Sequence, residues 1–161
     1  MDLQAEHKLA KNKLLSTIPI FGKEWSTEFD FKPTEGSGKS WLSVLQNTIG
    51  GDYKNYGDRL PAVFFIPSTN KMKVSVSING NSNYQKEFSF TGSPNTWTKV
   101  NISQRSIGGK FLYRVFVGGK KVEEVENSEP KAFEDVKVYA GCPWFSAAPG
   151  FIRNISVKAS C

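Results

Sequence analysis

What most constrains this chain is an alternation of apolar and polar residues with a period of two, interrupted about every ten residues by glycine, proline or asparagine. Trp25, Thr27, Phe29 and Phe31 alternate with Ser26, Glu28, Asp30 and Lys32, and Val74, Val76 and Ile78 with Ser75, Ser77 and Asn79. Val136, Val138 and Ala140 repeat the pattern, as do Ile155 and Val157. Successive side chains of an extended strand point to opposite faces, so each segment predicts a strand with one face on a core. For Trp25–Lys32 the other face is charged and is expected to meet water.

The interruptions predict how the strands connect. Asn79-Gly80 and Gly118-Gly119 are two-residue hairpin loops, because such pairs accept the positive φ that a tight turn needs. The second joins Phe111–Val117 to Lys120–Val125 and is the sharpest local signal. Further strands are expected at Trp41–Leu45, at Ala62–Ile66 between Pro61 and Pro67, around Phe88 and Phe90, and at Trp97–Ile102. Strands without interleaved helices predict an all-β fold, a two-sheet antiparallel sandwich.

Only Asp2–Leu15 has helical capacity, and Ile18-Pro19 ends any helix there, since the residue before proline avoids the helical region. Residues 1–19 are therefore read as an N-terminal extension and 20–161 as a single sandwich domain. A chain of 161 residues is long enough to bury one core without metal or disulfide support. No apolar run approaches the roughly 20 residues of a membrane-spanning helix. Met1–Lys13 is polar and basic, unlike a secretory signal, so localisation rests on other features.

Charge is unevenly spread. The net charge is +6, yet Lys54–Lys121 holds eleven basic residues against Asp58 and Glu87, and Glu123–Asp135 holds six acidic residues against Lys131. Lys71, Lys73, Arg105, Lys110, Arg114, Lys120 and Lys121 could form a polyanion-binding face for a sulfated glycan such as a glycosaminoglycan. Nucleic acid is set aside, because no zinc-finger, helix-turn-helix or ribonucleoprotein signature is present.

Two sequons, Asn101-Ile102-Ser103 and Asn154-Ile155-Ser156, place their asparagines opposite apolar neighbours on strands. Outward-facing acceptors favour a secreted, extracellular glycoprotein. In such a compartment Cys142 and Cys161 are candidates for a disulfide, though spacing alone does not bring them together.

The second half resembles a known family. Trp97–Ile102 (WTKVNI), Tyr113–Lys120 (YRVFVGGK), Phe133–Gly141 (FEDVKVYAG) and Gly150–Val157 (GFIRNISV) look like the closing strands of laminin-G-like and concanavalin A-like jelly-roll domains. Val136–Phe145 is similar to a module of secreted marine-invertebrate proteins, where an aspartate often stands in place of Cys142. The likeness spans residues 20–158. It implies a jelly-roll sandwich and, more loosely, a lectin-like or adhesive role. Function on such a scaffold still has to come from the site.

Catalysis finds no support. A glycanase needs two carboxylates about 5–9.5 Å apart across a cleft. The nearest set, Glu24, Glu28 and Asp30, lies along one strand, with Glu28 and Asp30 on its polar face. The only histidine is His7, and no phosphate-binding glycine loop occurs. Binding is better served. Sugar sites combine a flat aromatic ring with amides, carboxylates and guanidinium groups. Gly50–Arg59 supplies Asp52, Tyr53, Asn55, Tyr56, Asp58 and Arg59, the turn after Ile78 supplies Asn81 and Tyr84, and the Pro143–Phe145 loop supplies Trp144 and Phe145. Asp52 and Asp58, with Asn55, could also offer oxygens to Ca2+.

The reading is thus a carbohydrate-recognition or adhesion module for neutral or sulfated glycans, without catalysis. Twelve Phe and four Trp open an alternative, an exposed groove for an apolar small molecule (pigment or lipid-like) or a protein partner. Homo-oligomers are common among sandwich domains, but no residue pattern names an interface.

Overall fold

The computed structural model of the chain describes residues 1–160. Its strands are β1 (Asp2–Leu3), β2 (His7–Lys8), β3 (Leu14–Phe21), β4 (Trp25–Pro33), β5 (Leu42–Thr48), β6 (Ala62–Ile66) and β7 (Lys71–Ile78). They continue with β8 (Asn81–Ser89), β9 (Thr98–Ile107), β10 (Lys110–Val117), β11 (Lys120–Glu126), β12 (Phe133–Tyr139) and β13 (Gly150–Ala159). One sheet has the order β1-β13-β4-β9-β10-β11, with β2 also on β13, and the other β3-β12-β5-β6-β7-β8. All strand pairings are antiparallel, and the two sheets form the expected sandwich.

The hairpins follow the turn chemistry. Gly118 and Gly119 sit at φ 58° and 81°, and Gly108 and Gly109 at 60° and 81°. Asn79 and Gly80 repeat the arrangement at 52° and 71°. All these values lie in the left-handed region that two-residue hairpin loops require.

The aromatic abundance is spent largely between the sheets. Phe31 of β4 meets Phe65 of β6 edge-to-face at 5.3 Å and Phe90 at a tilt at 5.7 Å, forming an aromatic group at one end. At the other, Phe21, Trp25, Tyr113 and Tyr84 run from sheet to sheet at 5.6–6.4 Å. Such contacts add about 0.5–1.5 kcal/mol per pair beyond burial alone. These rings account for much of the content that suggested an external groove.

Two local expectations need correction. The Asp2–Leu15 segment is not helical: β1 and β2 extend the edge along β13, and β3 closes the edge of the second sheet against β12. Its apolar residues Leu14, Leu15, Ile18 and Ile20 suit an edge strand, where Pro19 costs no ladder bond. Nor does the whole polar face of β4 meet water: Glu28 and Lys32 stay partly exposed, but Ser26 and Asp30 are buried. Asp30 is only 9% exposed, because β4 lies inside its sheet and the carboxylate accepts Arg153 Nε at 3.3 Å and Asn154 Nδ2 at 2.9 Å.

Candidate functional site

The site lies on the outer face of the β5-β6-β7 sheet. Here Ser43, Phe64 and Lys73 stand side by side across β5, β6 and β7, followed by a second row of Gln46, Ala62 and Ser75. An outer face would ordinarily be wet, yet Ser43, Gln46, Ala62 and Ser75 are fully buried. Two loops fold over them.

The first loop, residues 49–61, is organised by Asp58. Its side chain is 0% exposed, with Oδ1 accepting the N–H of Gly51 at 2.8 Å and Oδ2 those of Asp52 and Asn55 at 3.1 and 2.8 Å. Gly51 is required at this point, since a Cβ there would lie 2.6 Å from Asp58 Oδ1. The loop is anchored below by Gln46 Nε2 donating to the Asp58 carbonyl at 2.8 Å, and by the Gly57 N–H on Ser77 Oγ at 3.0 Å. The second loop continues from β12 along the start of β5, where Ser43 N–H donates to Ser146 O at 2.9 Å and Ala148 N–H to Ser43 O at 2.8 Å.

Together the loops bring Tyr53 against Phe145 at 5.3 Å and Trp144 at 6.1 Å, and Phe145 against Phe64 at 5.9 Å. Beside this aromatic wall is a cleft of about 130 Å³ lined by Trp41, Arg59, Phe64, Lys73 and Phe145. Arg59 lies 8% exposed, its Nε donating to Tyr53 O at 3.3 Å and its Nη1 to Asn83 Oδ1 at 2.7 Å and Ser75 Oγ at 3.4 Å. Its guanidinium carbon sits 5.6 Å from the Phe64 ring. Lys73 Nζ lies 5.0 Å from the same ring and 4.7 Å from Trp41. Burial lowers the pKa of both groups, and the charge of Arg59 lowers that of Lys73 further.

Of the residues singled out in the sequence, Tyr53, Arg59, Trp144, Phe145 and Lys73 meet here. The others are employed elsewhere. Asp58 is a corrected assignment: its oxygens are engaged by backbone N–H groups, so it offers a sugar nothing and fits no cation. Ca2+ at Asp52 and Asp58 would have to displace those donors, and among the described residues no group of three or more His, Cys, Asp or Glu gathers to hold a metal. Asp52 is exposed and caps the Lys54 N–H at 3.2 Å, while Asn55 serves the Asp58 turn. Tyr56 faces away from the cleft, against Phe133 at 6.1 Å and under Lys131. Asn81 is a turn former accepting the Asn83 N–H at 2.9 Å. Tyr84 points between the sheets, donating to Glu123 Oε2 at 2.8 Å.

The single basic face is likewise corrected. Lys71 and Lys73 lie on one sheet, and Arg105, Lys110, Arg114, Lys120 and Lys121 belong to the other. The acidic run on β11 is the hairpin neighbour of the basic residues on β10. Arg114 pairs with Glu124 at 2.6 Å, Lys121 with Glu124 at 3.3 Å and Lys110 with Glu126 at 4.0 Å. Charges distant in composition are partners in register.

The sequons lie on the opposite sheet. Asn101 is half-buried between Val100 and Ile102, and Asn154 is exposed at a bulge. Cys142 is fully buried, its Sγ accepting the Phe145 N–H at 3.1 Å, and the pairing suggested for it ends on Cys161, outside the described residues. Sequence reasoning missed Trp41 and Phe64 because both sit in segments that read simply as strands. A larger open trough of about 540 Å³, lined by Pro33, Glu35, Pro67, Asn70 and Pro94 among others, offers no cation and no accessible ring.

No protein-family model and no curated protein matches the chain. Solved structures do. A heptameric SAP-like pentraxin from Limulus polyphemus aligns with a TM-score of 0.62 at 12% identity, over 98% of this chain and 78% of that one. The botulinum neurotoxin serotype G binding domain aligns at 0.64 and 9% identity, over 96% of this chain and 39% of that one. The CBM40 module of a Ruminococcus gnavus IT-sialidase, bound to α2,3-sialyllactose, aligns at 0.53 and 10%, over 94% and 90%. The chain has a concanavalin A-like jelly-roll sandwich fold. At these identities the likeness carries the architecture, and the chain spans less than two fifths of the toxin chain.

Proposed function

We propose that this chain is a carbohydrate-recognition module of a secreted protein, acting by binding rather than catalysis. Its combining site is the cleft between the two loops. The observation that carries the reading is the junction of Tyr53, Trp144, Phe145 and Trp41 with Arg59 and Lys73 on one loop-built face. Pyranose rings stack their apolar C–H faces on aromatic rings, while fixed polar groups take their hydroxyls. That a CBM40 module of the same fold holds a sialylated sugar supports the assignment.

No carboxylate lines the cleft to act as acid or nucleophile. Its volume, about 130 Å³, is well below the roughly 300–1,000 Å³ of pockets that enclose drug-sized apolar ligands. That disfavours the pigment or lipid alternative. Secretion rests on the two sequons, with Asn154 exposed and Asn101 half-buried, and occupied sequons in protein secreted from eukaryotic cells would support it. The direct test of function is a glycan array run with and without Ca2+. We expect saturable binding indifferent to chelator. A blank array from folded protein overturns the reading.

A further inference from the structure

Among the described residues there are six ion pairs, and they engage Lys32, Lys99, Lys110, Arg114, Lys121 and Arg153. The two cations of the cleft, Arg59 buried and Lys73 half-buried, have none. Glu87 lies directly opposite Lys73 in the β7-β8 ladder yet beyond ion-pair distance. Asp58, next to Arg59 in sequence, gives both oxygens to its own loop and favours the Arg59 cation only through space, as Glu87 does Lys73. No acceptor among the described residues engages Lys73 Nζ or Arg59 Nη2, whereas Arg59 Nε and Nη1 are fixed by Tyr53, Asn83 and Ser75.

Holding two like charges together in a partly dry, aromatic-walled cleft is unfavourable while the cleft is empty. Sugar hydroxyls carry only partial charge and cannot offset it, whereas an oxyanion can. The guanidinium is already oriented by three protein acceptors, so an incoming anion meets a donor whose entropy is already spent. The cleft is large enough for one small charged substituent and too small for a whole sugar ring. The ring would rest on the rim of Trp41, Phe145, Tyr53 and Trp144.

We propose that the cleft is an oxyanion subsite, and that the glycan recognised is acidic, inserting a carboxylate or sulfate ester between Arg59 and Lys73. This rests on the carbohydrate reading and sharpens it.

The test begins without any glycan. The 15N-labelled protein is titrated with sodium sulfate and with sodium acetate at constant ionic strength, following the Arg59 Nε–H and Trp41 indole N–H signals. Saturable shifts of both are expected. Lys73→Met should weaken the sulfate response about tenfold, the usual worth of one charge-assisted contact, and Lys120→Met on the exposed Gly118-Gly119 turn should not change it. Linear shifts, or shifts indifferent to Lys73→Met, overturn the proposal. A second arm compares neutral, carboxylated and sulfated versions of the same glycans on an array. Preference for either acidic form supports the proposal and names the source of the anion. Equal binding of neutral forms, with the cleft signals unmoved by sulfate, sinks the anion subsite and leaves the carbohydrate reading standing. A saturable anion response with no glycan retained does the reverse.

Discussion

Replacing Asp58 probes the device on which the site depends. Three backbone N–H groups converge on this one buried carboxylate, which is the acceptor for each of them. A buried donor left unmet costs about 1–3 kcal/mol. Gly51, Asp52 and Asn55 are themselves exposed, however, so their amides can reach water if the loop lifts, and the total is capped by the cost of that release. We therefore expect Asp58→Ala to lose about 3 kcal/mol. With a urea dependence of about 2 kcal/mol per molar, the unfolding midpoint falls by roughly 1.5 M. Asp58→Asn should lose a comparable amount, because its amide group turns a donor toward N–H groups that need an acceptor. Asp52→Asn, at an exposed position, should stay within about 0.5 kcal/mol of the parent. Urea unfolding followed by Trp fluorescence measures all three. An Asp58→Asn midpoint indistinguishable from that of Asp52→Asn would refute the argument.

Other outcomes follow from the same geometry. Trp144→Ala should abolish glycan retention on an array while leaving the melting midpoint nearly unchanged, since the ring is half-buried in a surface cluster. Gly119→Ala should cost about 1–2 kcal/mol by thermal unfolding: its φ is 81° and no atom lies within 4 Å of an added methyl, so the penalty is backbone strain alone. Tyr84, desolvated and bonded to Glu123, has its pKa raised to about 12, against 10.0 for the ordinary side chain. The folded state thus holds this proton more tightly than the unfolded chain. Its stabilising contribution is complete below pH 10 and is lost as pH rises toward about 12. Urea midpoints measured across that range should fall, and Tyr84→Phe should make the fall shallower without removing it, since Tyr56, Tyr113 and Tyr139 are raised in the same direction.

How much of this was legible depended on the range of the interaction. The Gly118-Gly119 and Asn79-Gly80 hairpins could be read because two adjacent residues set the turn. Gly108-Gly109 carries the same signal and joins β9 to β10 in the same way. The Arg114–Glu124 pair was nearly readable, since the hairpin places the basic β10 beside the acidic β11. A bulge after Val115, however, shifts the register so that Glu124 rather than Glu123 faces Arg114. What was not legible was that the outer face of β5-β6-β7 is roofed. Alternation tells which side of a strand faces the core, and it is silent on loops that return to cover the other side. Ser75 therefore looked solvent-facing, Ser43 and Gln46 carried no signal of burial, and Phe64 looked like one more apolar residue within a strand. Asp58 looked like a ligand because its three amide donors come from backbone, which residue type does not reveal. Tyr53, Arg59 and Trp144 entered the candidate list for a local reason: they belong to the loops that form the roof. Trp41 and Phe64 came from the strand segments beneath it.

The central claim is that one cleft, walled by aromatic rings and holding Arg59 and Lys73, binds glycan. The most direct measurement is a glycan array probed in parallel with the wild-type chain, Trp144→Ala and Lys73→Met, each shown to be folded. The account predicts a defined set of glycans held by the wild type, unaffected by chelator, and lost or strongly weakened in both variants. Binding that survives both substitutions would contradict it.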